Sequence, residues 1–317
     1  MSDSGAIGRA PFEGPAAWKG STLHSAASWT HHLSSEEIAE IVMAVAHVNR
    51  SGIRRDQLDA DAFPLPRLGP VIADWARELV QGRGFVLVRG LPVTRLPEED
   101  ATLAYLGIGH HLGVPLKQNL DGDLVGQVRA TGDDPNDVTV RRYKTTLEQP
   151  FHTDSSEVVG LLCLTPALSG GKSSIASSVS VFNSVLERRP DLVDLLFEPF
   201  SFDLYEQQAE GTDPYFVAPL CRDEDGRLST YYIRFAIEQA QRHADVPRLT
   251  DRQIEVLDLV DTLAAGDELR LDMDFEPGDM QFLKNSVILH SRTSYVDDED
   301  PTRRRHLLRL WIALHRR

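Results

Sequence analysis

Two histidines and an aspartate have the types and the order of a transition-metal site. His152 and Asp154 are two residues apart in Phe-His-Thr-Asp, and His290 follows far downstream at the end of an apolar run. Two imidazoles and one carboxylate on one side of a ferrous ion leave three coordination positions open for substrates and oxygen. Because alternate residues of a β-strand point to one face, a single short strand can present both His152 and Asp154 to a metal. The pattern predicts a metal centre built from two distant strands.

Each part of this set also has an ordinary structural explanation. The chain contains 11 histidines and 48 acidic residues, so one His-x-Asp pair is expected by chance. A lone histidine at the end of an apolar strand is more often buried and bonded to the backbone than bound to a metal. The metal interpretation therefore rests on the combination of all three residues.

Two arginines near the end of the chain, Arg305 and Arg309, are predicted to share one face of a strand with Leu307 and Trp311. Four residues at a rise of ~3.3 Å separate the two arginines by roughly 13 Å. A guanidinium that faces a protein interior needs an anion, and a carboxylate matches its planar set of donors. The alternative is that both arginines pair with the protein's own carboxylates.

Composition excludes several classes of partner. A formal charge of −15 over 317 residues argues against nucleic acid and against an anionic membrane, because phosphate binding requires a basic surface. A small anionic substrate is still allowed. Two cysteines do not make a disulfide framework, and neither a signal peptide nor a run of eighteen apolar residues is visible. We expect a cytoplasmic protein, for which a homo-oligomer is allowed.

The elements that must position these residues change in type along the chain. Capping boxes predict helix starts at Ser34 and Thr250. Further helices are predicted at 71–81, 101–112, 180–187 and 191–197. Strands are predicted at 85–90, 124–129, 151–155, 231–237, 269–275 and 305–314. This mixture predicts a mainly β, α+β fold: a double-stranded β-helix, or jelly-roll, barrel with helical support.

A single domain is expected over residues 1–317. Its predicted parts are a loosely ordered lead at 1–32, helical support and a first strand at 33–115, and the jelly-roll core at 116–317. Insertions near 130–150 and 203–265 are predicted to act as lids over the site, since polar loops rich in glycine and proline often order over a substrate.

Four motifs follow one another along the chain: His152-x-Asp154, Gly170-Gly171-Lys172-Ser173, Asn285 to His290, and Arg305-His-Leu-Leu-Arg309-Leu-Trp. Their order, over roughly residues 80 to 315, resembles the TauD/TfdA (taurine dioxygenase-like) family of Fe(II)- and 2-oxoglutarate-dependent oxygenases. The resemblance implies Fe(II) as cofactor, with 2-oxoglutarate and O2 as co-substrates. It also implies oxidation, by default hydroxylation, of a small molecule such as an amino acid or organic acid, with release of succinate and CO2.

The resemblance also implies residue roles. The implied iron ligands, and so the catalytic residues, are His152, Asp154 and His290. Arg305 would bind the distal carboxylate of 2-oxoglutarate, and Ser173 would donate a hydroxyl where the family commonly has threonine. Arg309 is similar to a second family arginine that serves either the co-substrate or the substrate. Asp154 keeps the carboxylate that halogenating relatives lack, which disfavours halogenation.

Gln127, Arg234 and Arg309 are the candidate substrate contacts. Gln127 lies on the strand predicted at 124–129, before the metal pair. Arg234 shares one face of the strand predicted at 231–237 with Tyr232, and an inward Arg234 would favour a substrate that carries a carboxylate. Structural roles for Gln127 and Arg234 are equally open.

Two functions of other classes use the same residues. A zinc hydrolase would employ the three ligands and a metal-bound water. A non-catalytic jelly-roll binding protein would retain the motif without turnover. Arg305 argues against the hydrolase, because hydrolysis requires no second dicarboxylate, and the intact ligand set argues against a protein that has lost catalysis.

Overall fold

A computed structural model describes residues 9–23, 25–119, 121–134, 137, 140–206, 208 and 211–315. The helices are α1 Ser35–Ser51, α2 Leu68–Gln81, α3 Glu98–Leu112, α4 Ser178–Arg188, α5 Arg234–Ala240 and α6 Asp251–Ala265. The strands are β1 Thr30–His32, β2 Phe85–Arg89, β3 Gly113–Leu116, β4 Val125–Val128, β5 Gln149–His152, β6 Val158–Thr165, β7 Ser169–Gly170, β8 Ser173–Ser177, β9 Pro199–Asp203, β10 Tyr215–Pro219, β11 Cys221–Glu224, β12 Arg227–Thr230, β13 Arg270–Met273, β14 Met280–Lys284, β15 Ile288–Arg292, β16 Tyr295–Val296 and β17 His306–Leu314.

Two sheets organise these elements. The major sheet has the order β1-β2-β14-β6-β17-β3, and β4 also pairs with β17. The minor sheet has the order β13-β8-β15-β5. Pairing is antiparallel in both sheets except for the parallel pair β1–β2. The architecture is therefore the mixed α+β type that was predicted, and among the described residues the two sheets are separate ladders.

An apolar layer lies between the two sheets. It joins side chains of β2, β6 and β14 to side chains of β8, β13 and β15; its buried members are Trp18, Phe85, Val159, Ile175, Met273, Leu283 and Ile288. Sheet faces pack in this way because alternate residues of each strand point to the same side. The functional side chains lie on these same inner faces.

Helices cover the outer faces of both sheets. Residues of α1, α2 and α3 pack with β17 on the outside of the major sheet, and residues of α4 and α6 pack on the outside of the minor sheet. The alternation predicted for β17 is confirmed, since Leu308, Leu310 and Ile312 face the helices while Leu307 and Trp311 face inward. No described helix has both the length and the apolar character needed to cross a membrane.

Both predicted capping boxes are confirmed. The backbone N–H of Glu37 donates to Ser34 Oγ at 3.2 Å, and that of Gln253 donates to Thr250 Oγ1 at 3.2 Å. The side chains of Glu37 and Gln253 in turn accept from the backbone N–H of Ser34 and Thr250. These signals succeed because a cap depends on a few neighbouring residues only.

The strand predicted at 231–237 is wrong. Residues from Arg234 onward form α5, and Tyr232 is buried with its hydroxyl 2.7 Å from Asp261 Oδ1 of α6. A short apolar run has no period that separates a buried strand from a buried helix. The segment Ala236–Ala240 is rich in good helix formers, and α6 provides the surface on which that helix packs.

The predicted lead and lids also differ from expectation in part. Residues 1–8 of the lead lie outside the described residues, but Trp18 is buried and donates to Arg83 O, and β1 extends the major sheet. In the second lid region α6 packs beneath the minor sheet as support. Positions 135, 136, 138, 139, 207, 209 and 210 of the two lid regions lie outside the described residues.

Candidate active site

The two histidines of the predicted metal centre are a cross-strand pair. His152 on β5 lies directly opposite His290 on β15, with ring centroids 4.2 Å apart. Asp154 follows in the turn after β5. One possible ligand atom from each of the three residues lies within 4.8 Å of the others. The fold thus brings together three side chains that are distant in sequence.

The spacing predicted that Asp154 shares the strand of His152. In the structure, β5 ends at His152, and Asp154 lies beyond the strand. Instead Asn285 holds the turn: its Oδ1 accepts from the backbone N–H of Asp154 at 2.9 Å, and its Nδ2 donates to Ser156 O at 2.9 Å. Asn285 is thus a positioning residue whose role the sequence pattern did not reveal.

Both histidines are in the neutral form that binds metals. Burial lowers the pKa of His152, and burial together with His152 lowers the pKa of His290 to about 3. His152 Nδ1 donates to Pro150 O at 2.8 Å, which places the lone pair on Nε2, where Gln149 Nε2 donates at 2.8 Å. Among the described residues, His290 Nδ1 is buried without a hydrogen-bond partner.

Asp154 is ionised and oriented. Burial alone would raise its pKa, but the nearby Arg309 cation and a hydrogen bond from Trp311 hold the pKa at about 2. Trp311 Nε1 donates to Asp154 Oδ2 at 3.0 Å, and Arg309 Nη1 lies 3.6 Å from the same oxygen. Neutral imidazoles and an anchored carboxylate fit Fe(II), for which two histidines and one carboxylate are a common ligand set.

Arg309 is held by neighbours on the Asp154 side of the site. Its Nε donates to Gln118 Oε1 at 2.8 Å, and its guanidinium lies 4.7 Å from the ring centroids of both Tyr143 and Trp311. A cation between two aromatic rings is stabilised by both of them. The arrangement makes Arg309 a positioning residue for Asp154, and the same side chain lines two neighbouring cavities.

A small cavity of about 40 Å³, here called the inner cavity, joins the metal residues to the predicted co-substrate residues. The side chains that matter to its chemistry are His152, Asp154, Ser173, His290, Arg292 and Arg305. Both Arg305 and Ser173 are buried, and the guanidinium of Arg305 forms no ion pair with a carboxylate of the described residues. A buried cation of this kind requires an anion from outside the protein.

Ser173 rather than Ser174 faces the inner cavity. Ser174 Oγ donates to Asp272 Oδ1 at 2.7 Å and is absent from the cavity wall. The preceding Gly171 has φ of +68°, and a Cβ there would lie 3.2 Å from Arg305 Nε. Glycine therefore lets the backbone before β8 approach Arg305 closely.

Arg292 is a further inward cation that the sequence reasoning missed. It is two residues after His290 on β15, so it shares the inner face with His290 and Ile288. Its register partners are Ser173 on β8 and Gln149 on β5. Burial and the nearby Arg305 lower the pKa of Arg292 to about 10, which leaves it charged at neutral pH. The spacing His290-x-Arg292 was the signal that could have identified it.

A larger cavity of about 410 Å³, here called the outer cavity, opens above Asp154. Its wall carries three basic side chains, Arg141, Lys144 and Arg309, and three carboxylates, Asp121, Asp123 and Asp154. Tyr143 borders both cavities. This space is large enough for a small molecule next to the metal residues.

Two predicted substrate contacts do not face the metal centre. Gln127 borders the outer cavity, but it is in register with Leu308, which faces the helices, and its Oε1 lies 2.5 Å from His306 Nε2. Arg234 lies on α5, where three carboxylates engage its guanidinium at 2.7 to 2.8 Å: Glu238, Asp258 and Asp261. The inward strand position assumed for Arg234 is therefore wrong.

Known proteins resemble this chain over most of its length. FR-33289 synthase of Streptomyces rubellomurinus is 33% identical over 310 residues, which cover 95% of this chain and 90% of that protein. Taurine hydroxylase-like protein SAT17 of Stachybotrys chartarum is 31% identical, covering 93% of this chain and 77% of that protein. Asparagine oxygenase, solved with Fe(II), 3-hydroxyasparagine and succinate, shares the fold at a TM-score of 0.68 and 18% identity, covering 90% and 93% of the two chains.

The family model for taurine catabolism dioxygenase TauD, TfdA family, matches residues 51–311. That span contains all four motifs on which the resemblance was based. The predicted family is confirmed: this chain is a dioxygenase that belongs to the TauD, TfdA family.

Proposed function

We propose that the protein hydroxylates a small molecule, such as an amino acid or organic acid, in a reaction that uses Fe(II), 2-oxoglutarate and O2 and releases succinate and CO2. The observation that carries this proposal is one cavity that joins the His152, Asp154, His290 set to the buried, carboxylate-free Arg305. A metal alone would explain the first set, and only a second, anionic reactant explains the arginine.

The proposed division of roles follows the two ends of the inner cavity. His152, Asp154 and His290 hold Fe(II), which together with 2-oxoglutarate and O2 supplies the oxidising power for C–H hydroxylation when bound. Arg305 holds the distal carboxylate of 2-oxoglutarate through charge-assisted hydrogen bonds. Ser173 adds a hydroxyl donor from β8. The three ligand side chains are themselves nearly buried, so that a substrate in the outer cavity would cover their remaining exposed surface.

The proposed substrate binds in the outer cavity. Its wall carries three cations, Arg141, Lys144 and Arg309, and three carboxylates, Asp121, Asp123 and Asp154, and groups of both signs suit a zwitterion such as an amino acid. The amino-acid product bound in asparagine oxygenase, and the sulfonic acid taurine in the names of relatives, are consistent with such a substrate. Hydroxylation is favoured over halogenation because Asp154 occupies the position that halide would need.

A turnover assay tests the proposal. The purified protein is supplied with Fe(II), 2-oxoglutarate and O2, and oxygen uptake and succinate are measured while amino acids, carboxylates, sulfonates and phosphate esters are screened for stimulation. Stimulation by an amino acid or organic acid, with little effect from its ester or amide, is the expected result. If no succinate forms, and if Zn(II) alone allows the protein to hydrolyse one of the screened compounds, the oxygenase proposal is contradicted and a hydrolase is favoured.

A further inference from the structure

We infer that Arg292 is a second binding residue for the distal carboxylate of 2-oxoglutarate. Through Arg292, this carboxylate would be linked to the segment 145–147, next to the wall of the outer cavity. The inference rests on the proposed function and adds a residue to it.

Strand register places Arg292 where a co-substrate carboxylate must lie. In the minor sheet, His152, His290 and Ile175 form one cross-strand row. The adjacent row on the same face contains Gln149, Arg292 and Ser173, with Arg292 at its centre. The inner cavity touches both rows and Arg305. A molecule that bridges the metal residues and Arg305 therefore passes over Arg292.

The charges around Arg292 require an anion. Its Nε and Nη1 are buried without hydrogen-bond partners, and Arg305 Nη1 is in the same condition among the described residues. Neither guanidinium has a carboxylate within ion-pair distance in the described chain. Their guanidinium carbons lie 4.8 and 5.0 Å from the ring centroid of Tyr295, so two like charges share one buried aromatic platform. One carboxylate, with its four lone-pair sites, can satisfy donors of both residues.

Arg292 is also attached to the segment that precedes the metal pair. Its Nη2 donates to the carbonyl oxygens of Thr145, at 3.1 Å, and Leu147. The backbone N–H of Tyr295 donates to Thr146 O at 3.0 Å. Directly before this segment, Tyr143 and Lys144 form part of the outer cavity wall. A carboxylate that binds Arg292 therefore also stabilises the segment 145–147, which follows this part of the outer cavity wall.

Equilibrium binding to the Fe(II)-loaded protein without oxygen provides the test. Calorimetry compares 2-oxoglutarate with 2-oxopentanoate, which has the same carbon chain but no distal carboxylate. Arg292→Gln is expected to raise the Kd for 2-oxoglutarate about 10- to 100-fold and to leave the Kd for 2-oxopentanoate nearly unchanged. Arg304→Gln, at an exposed arginine next to Arg305, is the matched control and should change the affinity for neither ligand.

Each outcome discriminates. Equal weakening of both ligands, or of neither, would show that Arg292 only supports the segment, and the inference would be overturned. Failure of the wild-type protein to bind 2-oxoglutarate would instead contradict the proposed function. If Arg292→Gln does not fold, as judged by thermal unfolding, Arg292→Lys is used; it retains the charge but loses the fixed pair of donors. For Arg292→Lys, the preference for 2-oxoglutarate over 2-oxopentanoate, measured as the ratio of their Kd values, is expected to fall about tenfold. An unchanged ratio overturns the inference.

Hydrogen exchange tests the link to the segment. In the wild-type protein, 2-oxoglutarate should slow exchange of the backbone amides at 143–148, and 2-oxopentanoate should not. The Arg292→Gln protein, measured at saturating 2-oxoglutarate, should lose this protection. If bound 2-oxoglutarate leaves these exchange rates of the wild-type protein unchanged, the proposed link between the carboxylate and the segment is overturned.

Discussion

The two ends of the inner cavity treat their charged groups in opposite ways. Around Asp154 the polar groups bind one another: Trp311 and Arg309 contact the carboxylate, and Gln118 holds Arg309. Around Tyr295 two buried guanidiniums, Arg292 and Arg305, retain N–H groups without partners in the described chain. Buried polar groups are nearly always hydrogen-bonded in native proteins, so an exception requires an explanation. The satisfied end positions protein groups, and the unsatisfied end is suited to bind a ligand.

Asp154→Ala should have the largest effect, because it removes a proposed metal ligand and leaves Arg309 without its carboxylate. We expect loss of bound iron and of turnover beyond the roughly 10- to 100-fold that is typical when an outer partner of a metal ligand is lost. Iron stoichiometry and oxygen uptake measure this. An Fe(II) affinity and a turnover that both equal those of the wild-type protein would exclude Asp154 as a ligand.

Arg305→Gln should raise the KM for 2-oxoglutarate about 10- to 100-fold, since it removes a charge-assisted bond to the co-substrate. The free energy of unfolding without ligand should not fall, because the arginine has no carboxylate partner to lose.

Arg309→Gln is the matched contrast to Arg305→Gln. Arg309 has protein partners, so its replacement should lower the free energy of unfolding of the ligand-free protein. Chemical denaturation of both variants, beside steady-state kinetics, measures the difference. An Arg305→Gln protein that is less stable than Arg309→Gln would contradict the distinction between the two ends.

Trp311→Phe should act only at the satisfied end. It removes the hydrogen bond to Asp154 Oδ2 while keeping an aromatic ring of similar position, and we expect Fe(II) affinity to fall about tenfold. The KM for 2-oxoglutarate, measured at saturating iron, should stay the same. A change confined to the co-substrate KM would place Trp311 at the other end.

Ser173→Ala should have the smallest effect, a rise of about 2- to 10-fold in the KM for 2-oxoglutarate, as expected for one neutral hydrogen bond. Ser173→Thr keeps the hydroxyl and should retain most of the affinity. Ser174→Ala is the control, because that hydroxyl is bonded to Asp272 away from the cavity. A larger effect at Ser174 would reverse the assignment.

Features that depend on neighbouring residues were predictable from the sequence. The capping boxes at Ser34 and Thr250 and the two faces of β17 are examples, because caps and strand parity follow directly from local order. The motif order also identified the family. The ligand roles of the site residues remain predictions.

Features that depend on tertiary context were not predictable. Asp154 lies in a turn that Asn285 holds from a distant loop. Arg234 is helical because α6 provides both a packing surface and carboxylates. The orientation of Gln127 is determined by its register with β17, which a single strand does not encode. Arg292 is different, since strand parity alone would have revealed it.

The pairing of His152 with His290 also has a consequence for folding. These residues are adjacent only after β5 and β15 have come together from distant parts of the chain, and contacts of that kind form slowly because a long loop must close first. An unfolded chain has no preformed ligand set, so iron binds the native state far more tightly than the denatured state. Excess Fe(II) should consequently shift the unfolding midpoint upward by mass action, and the metal would then act as a reporter of completed assembly.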